Sequence, residues 1–201
     1  MKKLLLSFSY IFHPLFIPIM GGLIYFLHSK IYFSFKEIYL YLLQIGIITI
    51  LIPIAVFYLL KTLQKIDSPK AEQLSERKIP LVIHCVLLWI LIQKGITFQR
   101  IPELFLFLLG GLVSNVLAFL FLFLRLKISL HMIGITALVC FAIAMTFLSG
   151  NLYIYSLAFL IMLIGGVASS RLLLKAHNYK ELILGSLCGL LPQVILWYYW
   201  L

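Results

Sequence analysis

Apolar residues run in long blocks along this chain, and polar residues are confined to short interruptions. The pattern has neither the two-residue alternation of a half-buried strand nor the single stripe of a soluble helix. Blocks fall near residues 4–27, 38–60, 79–96, 103–124, 131–149, 152–173 and 181–200. Each approaches or exceeds the roughly 20 apolar residues that a helix needs to cross a hydrocarbon core of about 30 Å. Because backbone polar groups in lipid must be satisfied within each helix, the pattern predicts an all-α, polytopic transmembrane bundle of about seven spans. The first block follows Lys2 and Lys3 as a signal peptide would, yet it continues to Leu27 without a small-residue cleavage site and reads as a retained span. His13, Pro14 and Pro18 predict a bend within it. The third block needs Lys94 to snorkel. Gly21–Gly22, Gly110–Gly111, Gly165–Gly166, Gly185 and Gly189 lie inside the blocks, where small residues let helix backbones approach.

Composition sharpens this reading. Of 201 residues, 64% are hydrophobic and 11% charged, against about 25% charged in ordinary soluble domains, which excludes a soluble globule. Seven crossings leave no length for an extramembrane domain, so residues 1–201 read as a single integral membrane domain. The net charge of +10 has no contiguous basic segment behind it, which argues against nucleic acid as a partner and for the bilayer surface. Cys85, Cys140 and Cys188 sit in apolar blocks without metal-ligand spacing and read as core residues.

The scarce polar residues gather in three clusters: Lys70 to Lys78, Arg125 to His131, and Ser170 to Glu181. Two predicted crossings separate each cluster from the next, so all three are expected on one side of the membrane, within reach of one another. In the first, Ser68–Pro69 signals a helix start and Pro80 is expected to end a short surface helix, with Lys70 and Arg77 on one face. A solvated helix with Glu72 and Glu76 as ion-pair partners is the alternative. In the second, Ser129 and His131 start the fifth span, and an imidazole there can exchange a proton near neutral pH. In the third, Glu181 lies one helical turn beyond His177, where it can orient one imidazole nitrogen and leave the other as a nucleophile; an interfacial salt bridge is the alternative. The free N–H groups of that helix start favour a phosphate nearby. His84, inside the third span, has no assigned role.

Together the clusters resemble the type 2 phosphatidic acid phosphatase superfamily, the membrane lipid phosphatases related to vanadium haloperoxidases. The third cluster carries the likeness most specifically: Ser170-Arg171, five residues, His177, three residues, then Glu181 where the family has Asp. Lys70, six residues and Arg77 match the first motif, with Lys78-Ile79 inserted before Pro80. The second motif keeps Ser129 and His131, with Leu130 in place of Gly. The resemblance implies a six-helix phosphatase-like core over about residues 61–200 and a membrane lipid phosphate as substrate. That class covers phosphatidic acid, phosphatidylglycerol phosphate, a polyprenyl diphosphate and a lipid A phosphate. It implies that Lys70, Arg77, Ser129, Ser170 and Arg171 hold phosphate, that His177 is the nucleophile and Glu181 its orienting partner, and that His131 protonates the leaving group. No cofactor and no metal are implied. A lipid-binding or lipid-transporting relative without catalysis is the alternative. Counting Lys and Arg by predicted face leaves Lys30, Lys36, Lys94 and Arg100 opposite the clusters and the other twelve of the 16 beside them. That bias predicts a cytoplasmic site face in a bacterial inner membrane.

Overall fold

A computed structural model describes residues 2–64, 74–150 and 154–199, and every regular element among them is a helix. The first apolar block is not one helix. Helix α1 (Lys2–Ile11) is followed by an extended His13, with ψ of 141°, a 3-10 turn over Pro14–Phe16, and α2 (Ile17–His28). Pro14 disfavours the helical conformation at the residue before it, and His13 takes the extended one, whereas Ile17 before Pro18 and Ile52 before Pro53 stay helical.

Helix α3 (Phe35–Thr62) starts on a capping box in which Ser34 and Glu37 exchange hydrogen bonds, and it widens into a π turn at Ile47–Leu51 just before Pro53. Helix α4 (Leu74–Ile90) also ends in a π turn, Leu91–Gly95. Pro80 lies inside α4 rather than ending a separate surface helix, which corrects the expected boundary. The proline removes one ladder bond, to the Glu76 carbonyl, and packing of α4 against α5 (Pro102–Phe123) holds the remainder. The expected start at Ser68–Pro69 falls outside the described residues. Helices α6 (Leu130–Ser149), α7 (Ile154–Leu173) and α8 (Tyr179–Trp197) complete the chain.

Five segments are long and apolar enough to cross a membrane: Phe35–Thr62, Arg77–Gly95, Pro102–Phe123, Leu130–Ser149 and Tyr179–Trp197. Two shorter apolar stretches, Pro14–His28 and Leu157–Leu173, fall where the first and sixth spans are expected. The protein is an all-α membrane bundle.

Helix α6 is its centre and the most buried of the five. The residues Gly134, Ala137, Cys140, Ala142 and Ala144 keep it slim enough to be covered by α2, α7 and α8. Its closest neighbour is α8. A Cβ at Gly185 would stand 2.7 Å from the Ser129 carbonyl oxygen, and one at Gly189 would overlap the Ile133 carbonyl. At these two positions glycine is therefore what permits the approach. Gly21 likewise admits the Phe107 ring, which stacks on Phe141 at 4.5 Å, whereas Gly111 and Gly165 face open space and take no part in packing.

Candidate active site

The two loops that carry the second and third clusters are built alike. Helix α5 ends with Arg125 in the left-handed region, with φ of 57°; the Leu126 N–H reaches back to the Phe121 carbonyl at 3.0 Å and that of Arg125 to Leu122 at 3.2 Å. Helix α7 ends the same way. Lys175 has φ of 50°, Ala176 N–H donates to the Arg171 carbonyl at 3.1 Å, and Lys175 N–H donates to Leu172 at 2.9 Å. These paired back-bonds reverse the chain sharply at each helix end. Each reversal leads within a few residues to the N-cap of the next helix, Ser129 for α6 and Asn178 for α8. The Ser129 N–H then donates to the Glu181 carbonyl at 3.3 Å, joining two clusters that are 52 positions apart in sequence.

His177 lies two residues before α8 and is buried, with 8% exposure. Its Nδ1–H donates to Glu181 Oε2 at 2.6 Å. Glu181 is itself held twice by Asn178, whose Nδ2 donates to Oε1 at 3.1 Å and whose Oδ1 accepts from the Glu181 N–H at 2.9 Å. The carboxylate thus fixes the tautomer with the proton on Nδ1 and leaves Nε2 with a lone pair. Burial pushes the His177 imidazole down to about 4; the Glu181 hydrogen bond opposes this, and the charges of Arg171 and Arg77 add to it. The ring is therefore neutral at neutral pH.

Arg171, in the last turn of α7, and Arg77, at the start of α4, both act on the His177 ring and on each other, and Arg77 is also attracted by Glu181. The Nε of Arg171 is buried without a hydrogen-bond partner among the described residues. The charges of two guanidinium groups therefore act on one imidazole, the same ring that Glu181 holds by a hydrogen bond. Beside Arg77 lies a narrow gap of about 10 Å³, lined otherwise by Leu81, Ala118, Leu122, Ile128 and Leu130.

Three expected site residues are engaged by the protein itself. Ser129 is fully buried and its Oγ accepts from the Met132 N–H at 3.4 Å, as the cap of α6. Ser170, also fully buried, pairs with the Ser9 hydroxyl at 2.6 Å. His131 Nε2–H donates to the Ser9 carbonyl at 3.1 Å, and the His13 ring meets that of His131 edge-on, centroids 5.2 Å apart. Ser9 of α1 and His13, just beyond its end, thus reach the second and third clusters, a placement that sequence spacing did not indicate. Asn178 was equally unforeseen, although a residue of its type before Glu181 has N-cap character. Lys70 lies outside the described residues.

Arg77, His131, Ser129, Ser170, Arg171, His177 and Glu181 thus gather at one end of the bundle. The other end carries a different group, in which Arg100 donates to Glu37 at 2.8 Å and lies over the Tyr41 ring. Compared with protein-family models, curated proteins and solved structures, the chain gives no match.

Proposed function

We propose that this protein is a metal-independent phosphatase acting on a membrane lipid phosphate through a phosphohistidine. The observation that carries the reading is the His177–Glu181 pair within the field of two guanidinium groups, one with a buried Nε–H left for an acceptor. A phosphate dianion is the ligand that suits this set: it accepts from Arg171 and Arg77 while its phosphorus faces the His177 lone pair.

In-line attack by His177 Nε2 forms the N–P bond as the bond from phosphorus to the leaving oxygen breaks. That oxygen takes a proton from His131. Because the Nε2–H of His131 stays on the Ser9 carbonyl, the proton leaves from Nδ1 of an imidazolium, which His131 forms by taking a proton from solvent when the phosphate dianion binds. Water then attacks phosphorus, gives its proton back to His131, and frees phosphate and His177. Glu181 holds the attacking ring and balances its growing charge. The apolar residues beside Arg77 and the position of the site at the ends of membrane-crossing helices favour a substrate whose phosphate is tied to a hydrocarbon chain in the bilayer.

The test is phosphate release in detergent from a panel of phosphatidic acid, phosphatidylglycerol phosphate, a polyprenyl diphosphate and a lipid A phosphate. His177→Ala is expected to abolish release while the helical content stays intact. Release at the wild-type rate by that variant removes the mechanism.

One observation favours a second reading, a bundle that binds lipid phosphate without turnover. The Ser129 and Ser170 hydroxyls, two of the phosphate ligands that the resemblance implies, are fully buried, and that of Ser170 is paired with Ser9. Trapping a phosphohistidine in acid-quenched protein decides against it; binding of all four lipids with no release decides for it.

A further inference from the structure

Consecutive residues on α4 point to different surroundings. Arg77 turns toward the site, whereas Lys78 is exposed and heads an open groove of about 220 Å³ on the outer side of α4 and α5. Ile79, Val82, Ile83 and Phe119 form the rest of the groove, and all are apolar. Lys78 is not a free-swinging surface lysine: its Nζ lies over the Phe123 ring, 5.3 Å from the centroid. The arrangement therefore has a cation held over an aromatic ring at the start of a membrane-crossing helix, with an open apolar groove beside it. Among the described residues that line the groove, none is a carboxylate.

We infer that this groove is a docking site for an anionic phospholipid, whose phosphate rests on Lys78 and whose chain lies along Ile79, Val82 and Phe119. The chemistry is that of an amphiphile with one negative head group: a zwitterionic lipid satisfies the apolar groove but places its own cation beside the lysine. A second copy of this chain, the other occupant that such a groove admits, offers no excess of carboxylates in return, since the sequence holds 6 Asp and Glu against 16 Lys and Arg. Lys78 and Ile79 are the two residues that stand between Arg77 and Pro80, so the groove belongs to the same turn of chain that places Arg77. The inference concerns binding on the outer face and stands whether or not the inner site hydrolyses phosphate.

Trp89 reports on the groove. It lies seven residues beyond Val82 and eleven beyond Lys78, on the same stripe of α4 and about 16 Å further along the axis, and it is half exposed. In full-length protein carrying Trp197→Phe and Trp200→Phe, Trp89 is the only tryptophan left. The protein is reconstituted in phosphatidylcholine vesicles containing a fixed small fraction of chain-brominated phosphatidylglycerol or, separately, of chain-brominated phosphatidylcholine. Quenching by the anionic lipid is expected to report a local enrichment of about fivefold over the zwitterionic one. Lys78→Gln should abolish the difference and Lys78→Arg should keep it, because Arg also stands over an aromatic ring. Lys180→Gln, an exposed cation of α8, should leave it unchanged. Equal quenching by the two lipids in the parent protein, or a preference that survives Lys78→Gln, overturns the proposal. Shielding of Trp89 from both brominated lipids places a second copy of the chain in the groove and overturns it as well.

Discussion

The main-chain N–H of Ser129 donates to the carbonyl of Glu181 at 3.3 Å, so the start of α6 and the first turn of α8 are joined through backbone as well as side chains. This bond places the cap of one helix beside the carboxylate that orients His177. It depends on how closely the two helices approach, and that distance is set further along, where Gly185 and Gly189 face α6.

Gly189→Val is therefore expected to disturb the site without touching it. The added side chain overlaps the Ile133 carbonyl and the Thr136 hydroxyl, which are packed backbone and a bonded group rather than the ends of flexible chains. Overpacking of this kind costs about 1–3 kcal/mol. Thermal unfolding in detergent should show the loss, and phosphate release should fall with it. Gly165→Ala, where the space is open, serves as the matched control and should leave both unchanged.

The charge of the site predicts how His177 titrates. Protonation is opposed first by burial and then by Arg171 and Arg77, so the ring should take its proton at about pH 4 in the folded protein, below the ordinary 6.5. Arg171→Gln removes one opposing charge, which favours the imidazolium and should move the midpoint up. Glu181→Gln removes a group that favours the imidazolium and should move it down. Ring nitrogen NMR across a pH series reads both shifts, and a wild-type midpoint near 6.5 contradicts the arrangement.

The Ser9–Ser170 pair links α1 to the helix that carries Arg171, through a buried hydrogen bond of 2.6 Å. Ser9→Ala leaves the Ser170 hydroxyl without that partner and should cost about 1 kcal/mol or somewhat more. In the double variant Ser9→Ala, Ser170→Ala neither hydroxyl remains, so the second change should cost less than it does alone. A double-mutant cycle on unfolding in detergent measures the coupling, expected at about 0.5 kcal/mol or more. Strict additivity would show that the two hydroxyls act independently.

Leu130 occupies the first position of α6 and lines the gap beside Arg77. Leu130→Gly clears that side chain and frees the backbone near the arginine for a phosphate. Phosphate release should rise severalfold even as the helix start loses about 0.5–1 kcal/mol of stability. Steady-state assays paired with unfolding separate the two effects; release that falls in proportion to stability counts against a steric role for Leu130.

Much of the fold could be read from single segments. Every apolar block after the first corresponds to one helical segment among the described residues, because burying charged groups or unpaired backbone in lipid is costly wherever the chain folds to. The local pairing of His177 with Glu181 was legible for the same reason: an i, i+4 relationship needs only one turn of chain. Two boundaries were not legible. Pro80 reads as a helix end and Pro14 as a mere bend, yet α4 runs through the first and the helix breaks at the second. The outcome at a proline depends on whether neighbouring helices compensate for the lost ladder bond.

By itself the sequence determined that this chain is an all-α membrane bundle and that its rare polar groups collect at the ends of helices, since both follow from the local cost of exposing polar groups to hydrocarbon. Only the tertiary structure decided which of those groups meet. Ser9 and Ser170 are 161 positions apart, and Arg77 faces inward while Lys78 faces out. Such pairings depend on the rotation and spacing of whole helices, which are set by where small residues let one backbone press against another, and no single window of sequence contains both partners.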